Sequence, residues 1–383
     1  MRVIDTSGLR SFRIPPAGGA GTPVELLHHG GRLGSDARAD VRLMVARRSA
    51  TDIRHHRFAD LGDSLDAGDL LVVNTSAVIP AALAARGSDG TELRLHLSTE
   101  QPGGFWVVEP RHPAGPGTGR YVGTPPTHLV LPGGGRAELL APYPSGTGLV
   151  RLWLARLDLP GDAGGPNPTR SGVSLADASA QGTPERLLGY LRAHGQPIRY
   201  AHTEAAWPIE AYQSVFSRDP GSAEMPSAAR PFTQALVTEL AAQGIVVAPI
   251  TLHTGVSSQE AGEPPYAERY EVPSATASLV NAAHADGRRV IAIGTTVVRA
   301  LESTADEAGR SHPGRGWTEL VVTPERGVRV VDGLVTGWHE PESSHLAMLE
   351  AIGGRDLLDA SYVAAVDQGY RWHEFGDSHL ILP

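Results

Sequence analysis

Apolar and polar positions along the 383-residue chain follow two different periods, and the switch between them divides the sequence. Four short runs rich in branched apolar residues read as strands: RLMVARR (residues 42–48), DLLVV (69–73), IVVAPITLH (245–253) and VIAI (290–293). Such runs, apolar at successive positions, suit strands buried on both faces of a sheet. Between them, apolar residues recur at helical spacing. Leu187, Leu188 and Leu191 form one face after Thr183-Pro184, and Leu236, Val237, Leu240 and Ala241 form another after Thr233. A third helix follows Ser274 with Leu279, Val280 and Ala283 inward, and stops at Gly287. The order helix, strand, helix, strand, helix implies parallel strands joined by helical crossovers.

The segment GRRVIAIGTTVVRALES (287–303) organises this part. Gly294 breaks the strand, and Thr295-Thr296 are expected to cap the helix that carries Arg299. A strand that turns through Gly into a helix leaves backbone N–H groups facing open space, which suits a carboxylate or phosphate. Further on, 329–331 reads as a strand, 333–345 as a loop holding His339, 343–352 and 358–369 as helices, and RWHEFGDSHLIL as a strand interrupted at Gly376-Asp377.

From Ala77 to about Asp158 the period shortens. Runs such as ELRLHL, FWVVEP and HLVLP alternate between Gly/Pro turns at close spacing, the habit of a small antiparallel barrel. The expected fold is therefore α/β, a mixed or parallel sheet with helical crossovers plus an inserted small antiparallel β-barrel domain. The insert spans 77–158, and 1–76 with 159–383 form a discontinuous α/β domain. Residues 161–182, rich in Gly, Pro and Ser, read as a linker.

Composition removes whole classes of chemistry. The chain has no Cys, so disulfides, thiolate metal sites and a Cys nucleophile are excluded. It also has no Lys; all 33 basic residues are Arg, which excludes a Schiff-base lysine and a P-loop. The formal net charge of −9 does not favour a nucleic-acid partner through the whole-protein field. No apolar run reaches the length of a membrane span and the N-terminus lacks a signal-peptide core, so a cytoplasmic location is expected. His28-His29 and His55-His56 are adjacent and face apart, and no metal is expected.

Several residues bear on chemistry. Strands in such sheets present ligands at their carboxyl ends. Those ends are His253-Thr254-Gly255 and Gly294-Thr295-Thr296, with His339 near a third. Either histidine is a hydrogen-bonded structural residue or an acid–base group. Arg299 either forks onto a ligand or pairs with Glu302 three residues on. Asn74 either caps its turn or contacts a ligand. The aperiodic loop 212–233 is a connector or an active-site loop.

Taken in order, GDLLVVNTSAVIPA (68–81), YQSVFSRDPGSAEMPSAARPFT (212–233), TLHTG (251–255), YEVP (270–273), 287–303, VDGLVTGWHEP (331–341) and GYRWHEFGDSHLI (369–381) resemble the S-adenosylmethionine:tRNA ribosyltransferase-isomerase family of queuosine biosynthesis. The resemblance runs over nearly the whole chain and implies an α/β domain with an inserted β-barrel. It implies that S-adenosylmethionine donates its ribosyl group. A base takes a proton from the 5′ carbon beside the sulfonium, adenine and methionine leave, and a cyclopentanoid forms on the aminomethyl-deazaguanine base of tRNA. S-adenosylmethionine is then a substrate, and no cofactor is implied beyond it.

Carried onto this chain, the resemblance implies a crevice formed by 251–255, 294–299 and 336–341. His253, His339 and Arg299 are its catalytic candidates. Asn74, Ser227, Phe232, Thr233, Thr251, Gly255, Gly294, Thr295, Thr296, Thr336 and Trp338 are its substrate-binding candidates. The chain departs from the family pattern in places. Pro231 stands for a family His, Ala77 and Ala82 for family Arg, Glu342 for a family Lys, and 264–270 keeps neither His of the family motif. These changes remove positive charge and proton-transfer groups, and they bear on the tRNA acceptor more than on the donor pocket. Two other readings stay open beside the main one: a diverged paralogue that uses a small acceptor or only cleaves its donor, and a non-catalytic S-adenosylmethionine-binding protein.

Overall fold

The computed structural model describes residues 35–49, 52–114, 117–144, 151–160, 185–199, 205–256, 265–340, 343, 345–372 and 375–383. The Thr183-Pro184 helix start and the 161–182 linker lie outside these residues. In chain order come β1 (Arg42–Arg47), β2 (Asp52–Arg57), β3 (Leu70–Asn74) and the short β4 (Ser76–Val78). Next are β5 (Ala82–Gly87), β6 (Glu92–Gln101), β7 (Phe105–Ala114), β8 (Gly117–Arg120), β9 (His128–Val130), β10 (Arg136–Tyr143) and β11 (Leu152–Asp158). The C-terminal half begins with α1 (Glu185–His194), β12 (Asp219–Ser222), α2 (Gln234–Ala242), β13 (Val246–Leu252) and β14 (Glu268–Val272). It continues through α3 (Ser274–Ala285), β15 (Val290–Ile293), α4 (Thr295–Ser303), β16 (Gly314–Thr318) and β17 (Gly333–Thr336). It ends with α5 (His345–Gly353), α6 (Arg355–Asp367) and β18 (Ser378–Leu382).

The protein is a mixed α/β structure built on a nine-stranded sheet of order β16-β14-β13-β3-β15-β17-β18-β1-β2. Strands β13, β3, β15 and β17 lie side by side and run parallel. The two-residue period of a strand sends its side chains to both faces. Leu70, Val72, Val290 and Ala292 enter one core with α3, α4, α5 and α6. Leu71, Val73, Ile291 and Ile293 enter a second core with α2 and Phe58. Each fully buried Val, Leu or Ile contributes about 1.5–3 kcal/mol, so the doubly covered strands are the most firmly held part of the fold.

Strands β5 to β11 form a separate seven-stranded antiparallel sheet of order β11-β10-β9-β5-β6-β7-β8. An additional pairing of β11 with β7, through Leu154 and Val107, joins the first strand of that order to the sixth. Their inward leucines, among them Leu83, Leu95, Leu97, Leu129 and Leu139, form a third core.

Four local expectations change. Residues 329–331 form no strand, because the amides of Arg329 and Val330 donate to the buried Glu302 carboxylate and so leave the ladder. The strand is instead Gly333–Thr336, inside the expected loop. In α3 the buried face is Thr276, Ala277, Val280 and Ala283, and Leu279 points outward. In α2, Leu236 and Leu240 are buried while Ala241 is exposed. Finally, Asp377 is no mere interruption before β18: its carboxylate accepts from the amides of Arg42 and Arg371 and locks the last strand beside β1.

Candidate active site

Because β13, β3, β15 and β17 are parallel neighbours, Leu252, Asn74, Ile293 and Thr336 end on one edge of the sheet. Three interstrand spacings of about 4.8 Å separate the outer two, so the edge is about 14 Å wide. Asn74 holds its middle together. Its side chain is fully buried. The amide nitrogen donates to Leu252 O at 2.8 Å and Thr296 Oγ1 at 3.3 Å, and Oδ1 accepts from the amides of Ser76 and Leu252, each at 3.0 Å. One side chain thus fixes the exits of β3 and β13 against the start of α4. The bond from the Ser76 amide is the expected turn cap, and the bonds to Leu252 and Thr296 add a framework role.

At the β13 exit, His253 Nδ1 lies 2.7 Å from Ser76 Oγ, which lies 2.6 Å from Ser222 Oγ. Ser222 Oγ in turn accepts from the Thr254 amide at 3.1 Å. A methyl group at Gly221 would overlap the imidazole, so only glycine lets that strand pass over the ring. Burial, reinforced by the positive field of Arg269, pulls the His253 pKa down to about 3. The ring is neutral at physiological pH and acts as a hydrogen-bonding group. Thr251 Oγ1 joins a second network with Thr75 Oγ1 at 2.9 Å, and Thr75 Oγ1 reaches Asp219 Oδ2 at 2.9 Å.

The start of α4 departs from expectation in one detail. Gly294, with φ of 99°, occupies the cap position itself and no side chain caps the helix, so Thr295 is its first residue. A positive φ favours glycine there. The amides of Val297 and Val298 donate to Gly294 O at 3.1 and 3.4 Å, which leaves those of Thr295 and Thr296 as the amides without an intrahelical acceptor. Thr296 Oγ1 receives the Asn74 bond, and the side chain of Thr295 is buried.

Arg299 is not at the edge, and it does not pair with Glu302. Its guanidinium, 4% exposed, pairs with Glu268 and donates to Leu320 O at 3.1 Å, Tyr266 O at 3.0 Å and Thr318 O at 2.9 Å. Glu302 pairs instead with Arg326. Glu268 Oε1 also accepts from the Gly255 amide at 2.9 Å, so Arg299 braces the loop after β13 from behind. Four of its five N–H donors are taken by these groups, which leaves no two-pronged fork for a ligand.

The fourth exit carries Thr336 and His339. Thr336 Oγ1 lies 3.0 Å from His339 Nε2, and the His339 amide donates to Tyr362 OH at 3.2 Å. His345, at the start of α5, packs its ring 4.5 Å from that of His339. Burial, aided by Arg299, pulls the His345 pKa down to about 4. Ser227 crosses this exit above Gly337, and Ala228 meets Gly294.

Three expected substrate contacts point away from the edge. Trp338 is buried and stacks on His379 at 4.7 Å, among Tyr362, Tyr370 and Trp372. Phe232 is a core ring between Phe58 at 5.0 Å and Phe216 at 5.3 Å. Thr233 caps α2, accepting from the Leu236 amide at 3.1 Å. Their motif positions flank the site, but alternation and helix capping turn these side chains inward.

Comparison with known proteins shows the family. The model of a family described as queuosine biosynthesis protein matches residues 11–381. The chain belongs to that family. It is 35% identical to the S-adenosylmethionine:tRNA ribosyltransferase-isomerase of Moorella thermoacetica, over 97% of this chain and 98% of the relative. The Thermus thermophilus protein of the same name is 35% identical over 91% and 94%. A solved structure of an S-adenosylmethionine tRNA ribosyltransferase from Thermotoga maritima aligns at 26% identity over 97% of this chain and 99% of that one, with a TM-score of 0.48.

The queuosine-family segments supply every exit of the edge, but several residues that build it were not singled out by sequence. Ser76, Ser222 and Gly221 surround His253, and the PGS tripeptide at 220–222 carried the only hint of the latter two. Glu268 and Arg269 carry no motif that reveals their roles. Ser98, on the seven-stranded sheet, accepts from the Val256 amide at 3.0 Å and brings a second wall to the site. Sequence order gives no sign of that contact, 158 residues long.

Proposed function

We propose that the chain is an S-adenosylmethionine-dependent tRNA ribosyltransferase-isomerase that acts in the cytoplasm. It transfers and rearranges the ribosyl group of the donor onto an aminomethyl-deazaguanine base in tRNA, with release of adenine and methionine. The observation that carries this reading is the end-to-end identity of 35% with a relative of that name, over 97% of this chain and 98% of the relative. It favours this reading over a small-molecule acceptor or a purely binding role. Support also comes from the edge itself, wide enough for a nucleoside and lined by uncharged donors and acceptors. No helix among the described residues is long and apolar enough to cross a membrane.

In this reading the donor lies along the exits of β13, β3, β15 and β17. The amides of Thr295 and Thr296 at the start of α4 meet its polar end, as a helix N-terminus does for a carboxylate. His253, neutral and tied to Ser76, and His339, tied to Thr336, hold polar groups at either end, and His339 assists departure of adenine. Arg299 and Asn74 hold the frame. The closed ring of β5–β7 and β9–β11 is, on the same reading, an inserted β-barrel domain (77–158) within an α/β domain (1–76 and 159–383). It keeps water from the sulfonium carbon, so that the fixed positive charge that makes the 5′ proton acidic is less screened. The test is incubation of the protein with S-adenosylmethionine and deazaguanine-bearing tRNA, followed by chromatography of adenine, methionine and the modified nucleoside. Cleavage without nucleoside change would refute the tRNA acceptor.

A further inference from the structure

The proton-removing group is not settled by the two histidines. His253 has Nδ1 engaged and a pKa near 3, too weak a base for efficient proton transfer near neutrality. The buried carboxylates around the site are mostly committed. Glu268 holds Arg299 and the Gly255 amide, and Glu109 holds Arg111 and Arg151. The half-exposed Asp219 accepts from Thr75.

Glu100 differs. It lies near the end of β6, where the seven-stranded sheet comes against the corner of β13, β14 and β16. Three contacts fix that seam: Ser98 Oγ accepts from the Val256 amide at 3.0 Å, Trp317 Nε1 donates to Glu100 O at 3.3 Å, and Gly255 sits against Ser98 and Thr99. Across the seam, His253 on the β13 exit, Arg269 on β14 and Trp317 on β16 form one row, because the His253 amide donates to Arg269 O and Arg269 pairs with Trp317. On its own sheet Glu100 pairs with Trp106. Its Oε2 is shielded from solvent and has no hydrogen-bond partner among the described residues. The charged group facing it is Arg269 from β14, which also feels Glu271 two residues on, opposite Arg315 of β16, and whose positive field reaches the neutral His253. Burial pushes its carboxyl up to about 7, against the lowering pull of Arg269. A carboxylate at that value, with one shielded and unpartnered oxygen across the seam from the His253 row, is matched to proton abstraction at neutral pH.

Resting on the function proposed above, we propose that Glu100 is the general base that removes the proton from the 5′ carbon of bound S-adenosylmethionine. The C5′–H bond breaks, an O–H bond forms on the Glu100 carboxylate, and the electron pair stays on the carbon beside the sulfonium. The proton passes to water after turnover. The base thus comes from one sheet and the donor-binding edge from the other, so the site is complete only when the two are in contact.

The test compares wild type, E100Q and E100D. Donor affinity is read by calorimetry, and adenine release with deazaguanine-bearing tRNA is read from pH 5.5 to 8.5. The expected result is that E100Q binds donor within threefold of wild type and releases adenine about 10²–10³-fold more slowly, the usual worth of a positioned base. Its acid limb, the rise of kcat/KM toward neutral pH, disappears, whereas E100D keeps that limb at a lower rate. A merely structural role would weaken donor binding and leave the limb in place, which overturns the proposal. So does an E100Q rate within tenfold of wild type. If E100Q fails to fold, E100D decides: a retained limb supports the base and a lost one refutes it. Wild type that releases no adenine refutes the proposed function itself, a result distinguishable from failure of the Glu100 assignment alone.

Discussion

Replacing Arg299 with Met separates a strut from a ligand anchor. The guanidinium is the cationic partner of Glu268 and the donor to three main-chain carbonyls, and both members of the ion pair are largely enclosed, at 5% and 15% side-chain exposure. Methionine keeps most of the stem's volume and removes every donor. Removing one partner of such a pair costs about 3–5 kcal/mol, chiefly the desolvation of the charge left behind. The expected loss is therefore about 4 kcal/mol at pH 8. Burial already raises the Glu268 pKa above its ordinary value, against the lowering effects of Arg299 and the Gly255 amide. Without Arg299 it rises further. A carboxyl harder to ionise in the folded state binds more protons there than in the unfolded chain, so its contribution to stability is present at low pH and lost as pH rises through the folded pKa. The deficit of R299M should accordingly be smaller at pH 5.5 than at pH 8. Urea unfolding followed by tryptophan fluorescence at both pH values reads this directly. An unfolding free energy within about 0.5 kcal/mol of wild type, combined with loss of donor binding, would show that Arg299 reaches the ligand and would refute the strut.

Asn74→Ala leaves the Leu252 amide and carbonyl and the Ser76 amide without their buried partner, and should lower unfolding free energy by about 2–4 kcal/mol, checked by the same urea series. Gly221→Ala displaces the His253 ring it would overlap; donor affinity measured by calorimetry should fall at least tenfold while far-UV circular dichroism stays unchanged. His339→Ala removes the partner of Thr336 and should lower adenine release by about 10²-fold, with little change in thermal stability; unchanged turnover would remove His339 from the mechanism.

The framework of the fold was legible because its signal is local. Val290–Ile293 and Leu70–Val73 are apolar at every position, a pattern that a doubly covered strand requires. The Gly-broken exits, His253 and the turn into α4 were readable for the same reason. Side-chain direction was not. Trp338 and Phe232 sit in the right segments yet face the core, since one position along a strand or loop turns a residue through to the other side. Arg299 was misread because its partner Glu268 is 31 residues away in sequence, whereas Glu302 lies one helical turn away and takes Arg326. Residues 329–331 have strand composition, but the Glu302 carboxylate competes successfully for their amides. The Ser98 and Glu100 seam follows only from the packing of two sheets, which no periodicity encodes.

The most direct measurement is release of adenine from S-adenosylmethionine by the purified protein, with and without tRNA carrying the aminomethyl-deazaguanine base. The account predicts release that depends on that tRNA and matches, mole for mole, methionine and a nucleoside enlarged by the rearranged ribosyl group. Absence of adenine in both reactions, with no heat on titrating the donor, would contradict it.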